Sequence, residues 1–275
     1  MKKIQYYLIT LLAFIVGFNT GCLRNKQSTE KKRSDVVIIY KTSLFADSIK
    51  TVIAQVVKSY DSAYGLPYDT VIIDETIEPE YAQENDYFIN DARAHRNTIT
   101  FNKRSLQKGG TKKIIRNITA HELFHTLNLG TSKILANPIK TGWKTPYSKL
   151  VTTNGLSLGY TANATGGIGL IEEAAAEMFA TYLYPDYIGS DYYYPIADLL
   201  GVIMSNSRLT LGDILAAKKS NDFGLFVSKI KGIPAEWLSN DDYMYVIENF
   251  IHYVRHPEKD PADFAKDLHY FANSY

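Results

Sequence analysis

The stretch from Thr111 to Leu129, stopped by Gly130, is apolar on every side of a helix yet carries three polar groups that water would otherwise claim. On a helical wheel Ile114, Ile115, Ile118 and Leu129 share a face with His121, Glu122 and His125, while Leu123, Phe124 and Leu127 make the opposite side apolar too. Such a helix has no solvent face, so the sequence predicts that it lies inside the protein with its polar trio. Burying those groups is costly without partners, and a metal ion is one partner that fits. His121 and His125 are four residues apart and therefore one turn apart on one face, where both imidazoles can reach a single ion. Glu122 projects about 60° round the helix from His125, toward a metal-bound water rather than the metal.

Two imidazoles do not complete such a site. A third ligand six residues beyond His125 would fall on Thr131, with the accompanying glycine at Asn128; neither residue type is there, so the metzincin arrangement is excluded. A second buried helix, Gly169–Tyr184, offers carboxylates instead. Glu172, Glu173 and Glu177 interrupt an otherwise small and apolar surface. Glu173 and Glu177 stand at i and i+4, where like charges repel and destabilise a bare helix. They make sense if one binds a cation and the other accepts a histidine N–H.

The remaining chain frames these two helices. A β-branched run, Val36–Tyr40, reads as a buried strand; Ile49, Val52, Ile53, Val56, Val57 and Tyr60 recur at helical spacing, with Gly65 suited to the helix end. Residues 71–73 and 98–101 read as further strands, the latter a candidate edge along which an extended peptide could lie. Residues 131–168, rich in Gly, Pro, Asn and Thr, read as a long loop, of the kind that is usually functional. Amphipathic helices are expected at about 190–206, 209–221, 241–255 and 260–273. The order is α+β: a small N-terminal mixed sheet with helices, the helix bearing His121, then a mainly helical C-terminal half.

Lys2 and Lys3, an apolar run from Ile4 to Phe18 and small residues up to Gly21 form a secretory signal pattern, too short for a spanning helix. Cys22, directly after Gly21, resembles the lipidated cysteine of bacterial lipoproteins, although Asn19 stands where that group usually has an aliphatic residue. Ordinary secretion and a retained anchor are the alternatives. The expected organisation is a signal peptide over 1–21, a polar tether over 22–35 and a catalytic domain over 36–275, itself an α/β part (36–130) and a mainly helical part (131–275). Removing 1–21 takes two lysines and no acid, so a net charge of +1 becomes −1. Neither value provides a field for nucleic acid, and none is expected as a partner. One cysteine excludes an intramolecular disulfide framework.

The two helices together resemble the gluzincin branch of the zinc metallopeptidases, over roughly residues 97–184. The resemblance implies a zincin-like fold, Zn2+ held by His121, His125 and Glu173, Glu122 as the base that assists attack of a zinc-bound water on a peptide bond, and Glu177 orienting a ligating histidine. The 47 residues between His125 and Glu173 exceed the spacing of compact members, which keeps Glu172 open as the third ligand. Tyr160 and Tyr184 are candidates for stabilising the oxyanion. Peptides or proteins are the substrates implied, with the membrane reached through Cys22 and the protein exported to a bacterial outer membrane or cell surface. The competing reading is a non-catalytic binding lipoprotein on the same fold. His252 and His256, also at i and i+4, have no acid between them and read as helix-end histidines. The run Lys103, Arg104, Lys108, Lys112, Lys113 and Arg116 reads as a solvated face.

Overall fold

The structure is a computed structural model and describes residues 35–43, 45–76, 92–102, 112–127, 133–134, 151–154, 156–160, 170–187, 194–239, 242–243 and 245–246. The signal peptide, Cys22 and nearly all of the tether lie outside the described residues, as do His252, His256 and most of the two C-terminal helices expected from the sequence. The α+β order is present: a four-stranded sheet and its helices come first, and helices predominate from residue 170 onward.

Strand β1 (Val37–Tyr40) runs parallel to β2 (Thr70–Thr76), with helix α1 (Asp47–Tyr64) between them in sequence. Strand β3 (Ala92–His95) turns back through Arg96 and Asn97 into β4 (Thr98–Asn102), and the sheet order is β1-β2-β4-β3. Arg96 takes the left-handed backbone (φ 54°), while the Asn97 side chain ties the turn to the Thr70 carbonyl. Two expectations are corrected here. Val37 and Ile39 are exposed, because β1 is an edge strand with only one covered face. Strand β4 is no edge either: it pairs with β2 on one side and β3 on the other, so among the described residues β3 is the outer strand on that side.

One face of the sheet carries Val71, Ile73, Ile99 and Phe101, all fully buried. Helix α1 contributes Ile53, Val56, Val57 and Tyr60 to the same core and ends at Gly65, whose φ of +66° is one that side chains rarely adopt. The central helix α2 (Lys112–His125) packs between α1 and α3 (Leu170–Leu183). It is buried only from its second turn. Ile114, expected inside, is exposed at the start of α2 beside Lys112 and Lys113.

Ala174, Ala175, Ala176 and Ala180 are fully buried on α3, small enough to let α2 approach closely. Phe179 fills the remaining space, with ring centroids 4.9 Å from both Phe124 and Tyr64. Truncating Phe179 to alanine opens a cavity where three elements meet. It should cost about 3–5 kcal/mol of unfolding free energy, read by urea denaturation. A loss under about 1 kcal/mol would contradict this packing.

The expected loop 131–168 contains structure. Strands β5 (Lys133–Ile134), β6 (Val151–Asn154) and β7 (Ser157–Tyr160) form an antiparallel sheet, and Leu156 in the β6–β7 turn is fully buried. Beyond α3 come α4 (Tyr194–Asn206), α5 (Leu211–Ser220) and α6 (Phe223–Lys231), the last not expected from the sequence. Helix α5 is fixed at both ends, by a Thr210–Asp213 capping box and a left-handed Asn221. Lys219 on α5 donates to the Tyr64 carbonyl at the end of α1. Lys231 and Asp242 form a buried ion pair. Among the described residues no helix is long and apolar enough to cross a membrane.

Candidate metal centre

Helices α2 and α3 bring His121, His125 and Glu173 together. His121 Nε2 lies 3.2 Å from His125 Nε2, and Glu173 Oε2 lies 2.9 Å from the first and 3.5 Å from the second. Among the described residues these three form a group that could hold a metal ion, one donor atom from each side chain. The spacing follows from helix periodicity: i and i+4 on α2 align the two rings, and α3 delivers one carboxylate opposite them.

The outer nitrogens are braced by the neighbouring acids. His125 Nδ1 lies 2.8 Å from Glu172 Oε1, and His121 Nδ1 lies 3.4 Å from Glu177 Oε1. Glu172, left open as a third ligand, thus stands behind His125 while Glu173 faces both Nε2 atoms. Consecutive residues on a helix diverge by about 100°, which is why the two cannot share a role. Glu177 lies at the outer nitrogen of His121, the place expected of a carboxylate that orients a histidine.

Two residues at this centre had no signal in the sequence. Lys218, on α5, is buried, and its ammonium donates to Glu172 Oε1 at 2.5 Å. Tyr187, just past α3, hydrogen-bonds to Glu177 and lies within the field of Glu122 and Glu173. Burial first, then Glu177, raises its phenol pKa, so it stays protonated. Of the tyrosines expected here, Tyr184 is elsewhere. Its ring stacks on the Arg116 guanidinium 4.7 Å away, beside a cleft of about 540 Å³ lined also by Val52, Val56, Ser59 and Lys113. Asp186 pairs with Arg116 at 2.8 Å and Lys113 at 3.7 Å on the exposed side of the helix start, where Lys112 and Lys113 face solvent. The Tyr160 side chain lies outside the described residues.

Glu122 is buried and points beside the three donors rather than joining them. The Ala94 N–H of β3 donates to its carboxylate. Ala94 pairs with Ile99 across the sheet, on the covered face, where a methyl side chain lets α2 come near. Burial raises the Glu122 pKa, offset in part by His125, His121 and the Ala94 N–H. The imidazoles respond in the opposite sense. Burial would lower His121, but hydrogen bonds to Glu173 and Glu177 outweigh it and raise its pKa to about 9. His125 is raised still more clearly against burial, by the charge of Glu173 and the hydrogen bond to Glu172. Glu173 is held well below the usual carboxylate range despite burial, chiefly by the charge of His125.

The donor set fits a cation. Lys218 balances Glu172, which leaves Glu122, Glu173 and Glu177 around two imidazoles. A cluster of that composition stabilises positive charge, whether as protons on the rings or as an ion between them. No family model, curated protein or solved structure matches the chain.

Proposed function

We propose that the protein is a zinc-dependent hydrolase of zincin-like fold, a metallopeptidase exported and anchored to a bacterial membrane through a lipid on Cys22. The observation that carries this reading is the convergence of His121 Nε2, His125 Nε2 and Glu173 Oε2 beside a buried Glu122. Ligands about 2.0–2.1 Å from one tetrahedral ion stand about 3.3 Å from each other. The three distances here, 2.9, 3.2 and 3.5 Å, bracket that value. Three protein donors leave a tetrahedral ion one position for water or substrate, as catalytic zinc requires. A structural site would be closed by a fourth ligand and would have no use for Glu122, which counts against the purely binding alternative.

His121, His125 and Glu173 would hold the ion; what it supplies when bound is Lewis acidity and a water of pKa about 7. The chain's own groups do the rest. Glu122 takes a proton from the attacking water and passes it to the departing amine. The Ala94 N–H keeps the carboxylate in place. Glu172 and Glu177 keep the rings turned with Nε2 inward. The edge of β3 is the strand beside Glu122 along which an extended peptide can add.

The test is metal analysis of the purified chain together with mass-spectrometric scoring of an unbiased peptide library. One zinc per chain is expected, with cleavage that stops on chelation and returns with added zinc. A chain that takes up no zinc, or that cleaves equally after chelation, would overturn the proposal. Fatty-acid labelling of wild type and Cys22→Ala tests the anchor: equal labelling, or none on wild type, removes it.

A further inference from the structure

The two ring histidines are backed differently. Behind His121 stands Glu177, capped by the Tyr187 phenol. Behind His125 stands Glu172, and the same oxygen that faces His125 Nδ1 at 2.8 Å receives the Lys218 ammonium at 2.5 Å. The two outer groups of this second chain are removed from water: Lys218 is 2% exposed and Glu172 5%. The lysine is not adaptable surface charge. Its helix is capped at both ends, and its neighbour Lys219 binds the end of α1, so the ammonium enters the core from a fixed direction. Its Nζ also lies 5.8 Å from the centre of the Phe124 ring, on the turn of α2 that carries His125.

Glu172 adjoins Glu173 in the chain. Without the lysine its carboxylate would be free to leave the outer nitrogen of His125. We propose that Lys218 is a positioning residue of the metal centre, holding Glu172 against the outer nitrogen of His125 and so fixing that ring with Nε2 toward the ion. The inference rests on the metal-centre reading above and adds to it a part played by the helical half of the chain. Residues that orient a ligating histidine in this way matter to binding as well as to turnover, typically by 10–100-fold. A lysine that merely filled space would have no such effect.

The experiment measures zinc affinity of the full chain by competition with a chromophoric chelator. It compares wild type with Lys218→Met, Lys218→Arg, Glu172→Gln and the Glu172→Gln/Lys218→Met pair, with folding checked by thermal melting. Lys218→Met is expected to weaken zinc binding about tenfold or more. Lys218→Arg should recover part of the loss, and Lys218→Met should add nothing once Glu172 is glutamine. Wild-type affinity in Lys218→Met, or a tenfold loss that persists undiminished in the Glu172→Gln background, overturns the inference while the metal centre stands. A wild-type chain that binds no zinc overturns both. Should Lys218→Met not fold, Lys218→Arg decides, since it keeps the buried charge but places it differently: zinc binding weaker than wild type supports the inference, and wild-type affinity overturns it.

Discussion

Glu122→Gln is expected to lower peptide hydrolysis about 10²–10⁴-fold, the usual contribution of a general base, while the zinc content of the chain stays at the wild-type value. The two readouts separate because Glu122 lies beside the donor group and not within it. Stability should move the other way, or not at all. The carboxylate is buried, and burial is the largest influence raising its pKa, so the folded chain holds a charge at a cost. Glutamine keeps the shape and an oxygen to accept the Ala94 N–H, without that charge. The midpoint of urea denaturation should therefore be equal to wild type or higher, the pattern of a residue kept for function at the expense of stability. Retained hydrolysis would remove Glu122 from the chemistry. Lost hydrolysis with lost zinc would make it a structural support.

The parts of this molecule that could be read in the sequence are those where one short segment contains the whole signal. The i, i+4 histidines are such a case, since α2 needs no partner to align them. The β-branched runs behind β1, β2 and β4, and the 3.6-residue period of α1, are others. Strand β3 escaped because Ala-Arg-Ala-His has no β-branched residue and its turn, Arg96-Asn97, lacks glycine. Its strand state comes from pairing with β4, and its alanines are required by the approach of α2. Helix α6 was hidden behind the Asn221-Asp222 break that ends α5 and begins α6. The choice between Glu172 and Glu173 was undecidable locally, because adjacent helix positions face different ways and nothing in the segment says which way is inward. Lys218 and Tyr187 carried no local mark at all. A lysine in an amphipathic helix reads as solvent-facing, and only the buried Glu172 across the core explains why this one is not.

Glu173→Ala is the second large effect expected, and the order of losses among the acids is its sharpest form. Glu173 Oε2 is the atom that both Nε2 groups face, so its removal takes away a donor rather than a brace. Zinc affinity should fall by more than about 100-fold, beyond the 10–100-fold expected when an outer partner such as Glu177 is changed to glutamine. Thermodynamic linkage turns this into a stability measurement that needs no substrate. Zinc at 100 times the wild-type dissociation constant should stabilise the wild-type chain by about 2.7 kcal/mol. At the same concentration a variant with affinity weakened 100-fold gains only about 0.4 kcal/mol by the same relation. The Glu173→Ala variant should show no more than that in urea denaturation, and Glu177→Gln should fall between it and wild type. If Glu177→Gln instead lost more than Glu173→Ala, their roles would have to be exchanged. His121 would then meet the ion through Nδ1, on the opposite side of its ring from His125 Nε2, and one ion could no longer be shared by both histidines.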